Sequence, residues 1–271
     1  QILSKLGLTM EHQVRMSKSE FDARFRRGTP GARQAVAQMD DEEAQAYRFL
    51  EVGPFLMRSQ LDARHKDLIF DLKTRAVAPI RYMQSEYKTR RKYRIGKLLG
   101  QGKSYENEIY DMMRLAFLKY GLQARIGRMD GVFVTYHNTM EIFGFQYIPL
   151  LDMDRCIYGG RGAALSAFDL SSKLLAAVLR LLTEDDDLAK TGTIKVLLYS
   201  HPDTGASLGA SGALDVSAAP VHGADTPQER LEAARSWRVN ADLQRPDGKA
   251  HPADQPLSED LRVRLSAWEI A

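Results

Sequence analysis

One segment, residues 104–120, frames the whole chain. Tyr105, Ile109, Met112, Met113, Ala116, Phe117 and Tyr120 recur there at three- and four-residue steps, while Glu106, Glu108, Asp111 and Arg114 fall elsewhere on the wheel. That spacing lays one apolar stripe along a helix, and the stripe needs a surface to cover. Ser104 stands where a side-chain oxygen can cap the first N–H groups, and Gly121 where the helix is expected to stop. Strands are expected on both sides. Residues 55–62 and 67–77 read as a pair around the polar turn 63–66, and residues 123–135 and 141–149 as a pair around the His137-Asn138 turn. A second helix over 166–182 and a strand over 193–200 follow. The order strand, strand, helix, strand, strand, helix, strand predicts a mixed central sheet flanked by helices, an α/β or α+β architecture.

The flanks carry less pattern. Residues 2–25 have the spacing of one or two helices, 26–32 form a loop, and 40–50 read as a short acidic helix running into the first strand. Residues 202–227, rich in Gly, Ala and Ser, read as a long loop or insert; 230–239 as a last helix or strand; 244–256 as a weakly structured tail. The expected division is an N-terminal helical segment over 1–50, an α/β core over 51–200, and a loop-rich C-terminal extension over 201–271 packed on that core.

With 44% hydrophobic and 27% charged residues the composition is that of a soluble globular protein. No apolar run approaches the roughly 20 residues a bilayer crossing needs. The longest, 174–182, is interrupted by Arg180 and reads as a buried helix. The single cysteine, Cys156, excludes an internal disulfide and a multi-cysteine zinc site, and a reducing compartment is the simpler expectation. The chain opens at Gln1 without a methionine, so a processed or trimmed N-terminus is expected, with any targeting peptide already removed.

The net charge of +3 is modest but unevenly spread. Lys73, Arg75, Arg81, Lys88, Arg90, Arg91, Lys92, Arg94 and Lys97 follow one another against Glu86 alone. Such a block is the footprint of polyanion binding, or else a solvated basic face. Tyr82, Tyr87 and Tyr93 interleave with it and could stack on unpaired bases or pack in the core. On the first reading Arg75, Arg81, Lys88, Arg90, Arg91, Lys92 and Arg94 are candidate RNA contacts.

Asp71 and Lys73 lie two residues apart on an expected strand, so their side chains leave the same face. Asp62, near the end of the preceding strand, can approach them diagonally. Two carboxylates on one side of a sheet offer hard oxygen ligands to Mg²⁺ or Mn²⁺, which would neutralise a phosphodiester oxygen and activate water. Lys73 would answer the developing negative charge or help orient and deprotonate the nucleophile. The candidate catalytic residues are therefore Asp62, Asp71 and Lys73, with Asp62 and Asp71 as metal ligands. An Asp-x-Lys by itself is common on exposed strands.

Residues 55–62 (Phe-Leu-Met-Arg-Ser-Gln-Leu-Asp) followed by 70–76 (Phe-Asp-Leu-Lys-Thr-Arg-Ala) resemble the PD-(D/E)XK nuclease core. More narrowly, they resemble a fungal mitochondrial RNA-processing family within that superfamily. The later stretches Tyr105-Glu106, 110–114, 129–134, 136–139 and 142–147 extend the resemblance, which covers about residues 1–189. It implies a PD-(D/E)XK-like fold and a membrane-associated mitochondrial matrix protein active in RNA 5′-end processing and turnover. It also implies a functional link to the mitochondrial RNA polymerase or other RNA-turnover factors. By the same resemblance Asp62 and Asp71 are metal ligands and Lys73 the catalytic lysine. The superfamily adds an acidic residue from a helix before the first core strand; Glu42, Glu43 and Glu51 are the available substitutes. The family is longer at its N-terminus, where a membrane-contacting or RNA-binding part would lie.

Other signals carry less. Gly102-Lys103-Ser104 ends like a phosphate-binding loop, but the pattern asks for glycine where Lys97 stands, so a glycine-rich turn with a serine cap is the cheaper account. Asp130 and Glu141 flank a strand and turn, and a turn role is expected for Asp130. His137 suits a surface turn, and Gln146 either a backbone contact to nucleic acid or burial with a satisfied amide. The acidic run 184–187 ends a helix and reads as a solvated exit loop. Cys156 lacks a base partner for nucleophilic catalysis. The sequence thus favours a metal-dependent ribonuclease, against a silent RNA-binding adaptor that recruits an exonuclease or the polymerase, or a structural accessory subunit.

Overall fold

A computed structural model of the chain describes residues 2–38, 46–138, 140–190, 193–201, 211–221, 234–244, 247 and 262–269. It divides into two compact units, one of residues 1–50 with 56–160 and one of residues 51–55 with 161–271.

The first unit opens with three helices, α1 (Ile2–Arg15), α2 (Lys18–Phe25) and α3 (Ala32–Gln38). Ser17 and Glu20 close a reciprocal capping box at the start of α2, satisfying N–H groups that the helix itself leaves free. Strands β1 (Tyr47–Val52) and β2 (Phe55–Gln60) form a two-stranded sheet. Then come β3 (Ala63–His65), β4 (Leu68–Ala76), α4 (Ala78–Tyr82), a 3₁₀ turn (Gln84–Glu86), α5 (Tyr87–Arg90), α6 (Tyr105–Arg114), α7 (Ala116–Ile126), β5 (Gly131–His137), β6 (Ile142–Pro149) and α8 (Leu150–Tyr158).

A four-stranded sheet runs in the order β3-β4-β5-β6. β4 and β5 are parallel and the outer pairs antiparallel, so the sheet is mixed as the sequence predicts. A parallel pair needs a long return connection, supplied here by α4 to α7. Register places Asp71 beside Val132, Lys73 beside Val134 and Arg75 beside Tyr136, all on one face. On that face Val132, Val134, Tyr136 and Ile148 form the core with Met112 of α6, Phe117 and Tyr120 of α7 and Met153 of α8. Farther along, Ile69 packs with Ala124 and Met129. Gly131 is required where β5 meets β6, because a Cβ there would stand 2.4 Å from the Ile148 carbonyl oxygen.

The periodic segment over 104–120 departs from expectation in one respect. Ser104 does cap α6, accepting from the Asn107 N–H at 3.1 Å. The helix breaks at Leu115 (φ −144°, ψ −53°), and α7 continues through Gly121 to Ile126. Phe117, Tyr120 and Ala124 keep helical spacing and are buried, so residues 123–126 belong to the helix and the strand starts only at Gly131. Residues 150–158, to which the sequence pattern assigns nothing, form α8.

The second unit contains α9 (Arg161–Glu184), α10 (Asp186–Ala189), β7 (Ile194–Ser200), β8 (Ser211–Pro220), β9 (Arg235–Gln244) and β10 (Arg262–Glu269). The strands form one antiparallel sheet in the order β10-β9-β8-β7. Val178 and Leu182 of α9 and Leu188 of α10 pack with Val216, Ala218, Trp237 and Val239. This core shifts the boundary from 200 to 160, and the described residues of the expected loop-rich extension contain a sheet. The loop expected over 202–227 contains β8, whose Leu214, Val216 and Ala218 alternate inward among small residues. Within the tail expected over 244–256, all but Gln244 and Asp247 lie outside the described residues. By length and composition α9 is the one described helix apolar enough to cross a bilayer; Val178 and Leu182 are buried, while Leu175 and Leu179 are exposed. At its end Asp185 accepts from the Leu188 N–H at 3.0 Å and so caps α10. Of the acidic helix expected over 40–50, residues 40–45 lie outside the described residues, and β1 begins at Tyr47.

Candidate active site

β4 presents Asp71 and Lys73 toward the helical layer, and the turn before β3 brings Asp62 to them. The Leu72 N–H donates to Asp62 Oδ2 at 2.9 Å, which fixes the carboxyl group against β4. Asp71 has no exposed surface. Its Oδ1 accepts from Gln123 Nε2 of α7 at 3.2 Å, and its Oδ2 is ion-paired with Lys73 Nζ. The Lys73 ammonium also lies 6.0 Å from the ring centre of Tyr120. The three residues read as catalytic from sequence therefore converge in space.

Their electrostatics follow from burial. Desolvation, a hydrogen bond with Asp62 and the Asp62 charge push the Asp71 carboxyl up to about 7, against the opposing pull of Lys73. Two carboxyl groups in contact resist double ionisation, and a divalent cation beside them would supply the missing positive charge. Asp71 Oδ2 is buried with the Lys73 ammonium against it. This donor set fits a Mg²⁺ or Mn²⁺ held by one or two carboxylates and otherwise by water or phosphate. Among the described residues no group of three or more His, Cys, Asp or Glu side chains could hold a metal. Of the substitutes for a third acid, Glu42 and Glu43 lie outside the described residues, and Glu51 is an exposed residue of β1. Asp71 is closed to solvent, so the partly exposed Asp62 and Lys73 carry the site to the surface.

The basic block is split by the fold. Arg75 Nη2 pairs with Asp111 Oδ2 at 2.6 Å, and its Nε lies 3.9 Å from Glu108 Oε2. Arg81 pairs with Glu108 Oε2 at 3.3 Å and also with Asp111. Glu108, buried on α6, accepts from the Ala78 N–H at 2.8 Å, and Tyr82 donates to Asp111. Burial alone would raise Asp111, but the Tyr82 hydrogen bond and the Arg81 and Arg75 charges hold it below its ordinary value. Arg75 and Arg81, expected on an RNA-facing surface, are thus corrected to members of an internal network joining β4, α4 and α6. The sequence shows the cations together but hides their counter-charges, which arrive from about 30 residues away.

The remaining cations lie at the surface. Arg90 pairs with Glu86 at 3.1 Å and Arg94 with Glu141 at 3.2 Å. Lys88, Arg91 and Lys92 are exposed and have no ion pair among the described residues. Tyr93 packs against the core, and its hydroxyl accepts from the Lys103 N–H at 2.7 Å.

The lesser candidates have structural partners. Asp130 Oδ2 accepts from the Ile69 N–H of β4 at 2.8 Å, a tie to a neighbouring strand in place of the turn role expected of it. Gln146 Oε1 accepts from the Tyr136 hydroxyl at 2.9 Å, and the residue is half-buried. His137 Nδ1 lies 3.0 Å from the Asn138 carbonyl oxygen. Gln123 was hidden from sequence reasoning because residues 123–135 read as a strand. Its spacing of three from Tyr120 is the signal that a helical reading would have used.

Residues 1–180 match the family described as mitochondrial protein Pet127. A Schizosaccharomyces pombe relative, named as a mitochondrial mRNA degradation protein, is 38% identical over 186 residues, covering 67% of this chain and 34% of its own length. A Saccharomyces cerevisiae relative, named as a candidate mitochondrial translation system component, is 40% identical over 158 residues, covering 56% of this chain and 18% of its own. The chain therefore spans about a third of the first and under a fifth of the second. No solved structure matches.

Proposed function

The chain belongs to the mitochondrial Pet127 protein family, and from that premise we propose that it is a divalent-metal-dependent ribonuclease of the PD-(D/E)XK type. The observation that carries this reading is the convergence of Asp62, Asp71 and Lys73 on one face of a mixed sheet, with Gln123 fixing Asp71 from α7. The name of the Schizosaccharomyces pombe relative, which speaks of mitochondrial mRNA degradation, supports RNA as the substrate. The compartment proposed is the mitochondrial matrix, with RNA 5′-end processing and turnover as the process. Association with the inner membrane, with the mitochondrial RNA polymerase or with other turnover factors belongs to the same proposal.

Asp62 and Asp71 would hold Mg²⁺ or Mn²⁺, which supplies Lewis acidity toward a phosphodiester oxygen and a bound water. Asp71 must release its proton to bind a cation, and Lys73 favours that release. Lys73, partly exposed, stabilises negative charge on a phosphate that reaches the mouth of the site. Gln123 keeps one Asp71 oxygen oriented while the other faces Lys73. Exposed Lys88, Arg91 and Lys92 hold the RNA backbone.

The decisive experiment follows cleavage of end-labelled RNA with Mn²⁺ or Mg²⁺. Loss of cleavage in Asp71→Asn and Lys73→Ala, with circular dichroism unchanged, is expected. Cleavage persisting in both variants overturns the assignment of the site. The closure of Asp71 to solvent favours a second reading, a catalytically silent RNA-binding adaptor. That reading requires salt-sensitive RNA affinity that survives Asp71→Asn, with no metal-dependent cleavage by the parent chain.

A further inference from the structure

The edge of the second unit's sheet is unusual for a strand left open to water. Among the described residues β7 is the terminal strand in the order β10-β9-β8-β7, and nearly all of it is exposed on both faces. Val196, Leu197, Leu198 and Tyr199 are 38%, 65%, 52% and 56% exposed. An open edge is ordinarily blunted by proline, a bulge or several charges. β7 carries only Lys195, near one end.

Its hydrogen-bonding groups have a definite parity. The Val221 N–H donates to the Thr193 carbonyl at 2.8 Å, and the His201 N–H to the Ala213 carbonyl at 3.1 Å. Both pairs fit the antiparallel β7–β8 register, so the odd-numbered residues from Thr193 to His201 turn their N–H and C=O groups toward β8. Ile194, Val196, Leu198 and Ser200 consequently turn theirs toward the open edge.

We propose that β7 pairs antiparallel with β7 of a second copy of this chain, centred on Leu197, to make one continuous eight-stranded sheet. That register alone overlaps the strand over its whole length. Ile194 then exchanges backbone bonds with Ser200 of the other copy, and Val196 with Leu198, using every outward N–H and C=O group. Val196 and Leu198 share a face with Ala218 and Val216, the side that α9 covers elsewhere in the sheet, so the two copies shield each other's uncovered residues there. On the other face Leu197 meets its own copy, and Lys195 meets Tyr199. The single charge therefore lands on an aromatic ring and not on a like charge. That complementarity is what selects a second copy as the occupant.

The test uses the whole 271-residue chain, with mass measured by light scattering after size exclusion at micromolar concentration. A dimer is expected. Val196→Pro removes an outward N–H that β8 does not use, so a monomer with unchanged circular dichroism is expected. In a Cys156→Ser background, Leu197→Cys places two thiols in a close non-hydrogen-bonded pair, about 4.5 Å between Cα atoms. Oxidation should then cross-link the Leu197→Cys chains, while Leu198→Cys, which faces Val196, stays uncrossed. A monomeric parent chain, a dimer that survives Val196→Pro, or equal cross-linking by the two cysteine variants overturns the proposal.

Discussion

Gln123 on α7 donates to the buried carboxyl of Asp71 on β4 at 3.2 Å, so a neutral side chain from the helical layer fixes an oxygen that water does not reach. Removing an outer partner of a metal-ligating carboxylate commonly weakens affinity by about 10- to 100-fold. Gln123→Leu keeps the volume and loses the donor. At the proposed site, Mn²⁺ affinity, followed by titration calorimetry, should fall by about that factor while the fold persists. An unchanged affinity would reduce Gln123 to a packing residue.

Asp71 also dictates a pH response. Its folded-state value, about 7, lies above the ordinary 3.8 because burial, the Asp62 hydrogen bond and the Asp62 charge outweigh Lys73. The folded chain therefore binds this proton more tightly than the unfolded chain does. The stability it contributes is fully present below the unfolded value and is lost as pH rises through the folded value. Urea unfolding of the metal-free protein should show stability declining between about pH 4 and about pH 7, with a slope of up to ~1.4 kcal/mol per pH unit. Asp71→Asn should flatten that slope. A parent and variant with parallel profiles would contradict the assignment.

The arginines and lysines of the basic block should separate by experiment. Arg75→Ala leaves Glu108 and Asp111 with a missing partner in the interior, a loss on the order of 3 kcal/mol measured by urea unfolding. Lys88→Gln, Arg91→Gln and Lys92→Gln together should leave stability within about 0.5 kcal/mol. Their effect should be on RNA binding, where each lost phosphate contact shallows the salt dependence by about 0.7 for a single strand. An unaltered salt slope in the triple variant would move the RNA path away from this surface.

Much of the first unit was legible because its strands are short runs rich in apolar and β-branched residues set off by polar turns. Strand parity placed Asp71 and Lys73 together, and adjacency brought in Asp62. The Leu115 break left no such mark: apolar residues at the same intervals run through both helices, and only the backbone angles at one residue divide them. Gln123 was hidden by Gly121, read as the helix stop, which left residues 123–135 to a strand while α7 in fact runs on to Ile126. In the second unit β8 is built from serine, alanine and glycine around Leu214 and Val216, too little apolar contrast for a period of two to show. The charge block misled for a different reason. A run of cations along the chain says nothing about α6, whose Glu108 and Asp111 take two of them indoors.

The parallel alignment of β4 and β5 has a consequence of its own. Because the polypeptide must travel back to the start of the sheet before laying down β5, that excursion carries the surface cations, Arg81 with the two acids of α6 that hold it, and the helix that steadies Asp71. The cations proposed to grip RNA and the side chain that orients Asp71 thereby belong to one excursion. It can diversify in length and sequence while the strands beneath keep their alignment.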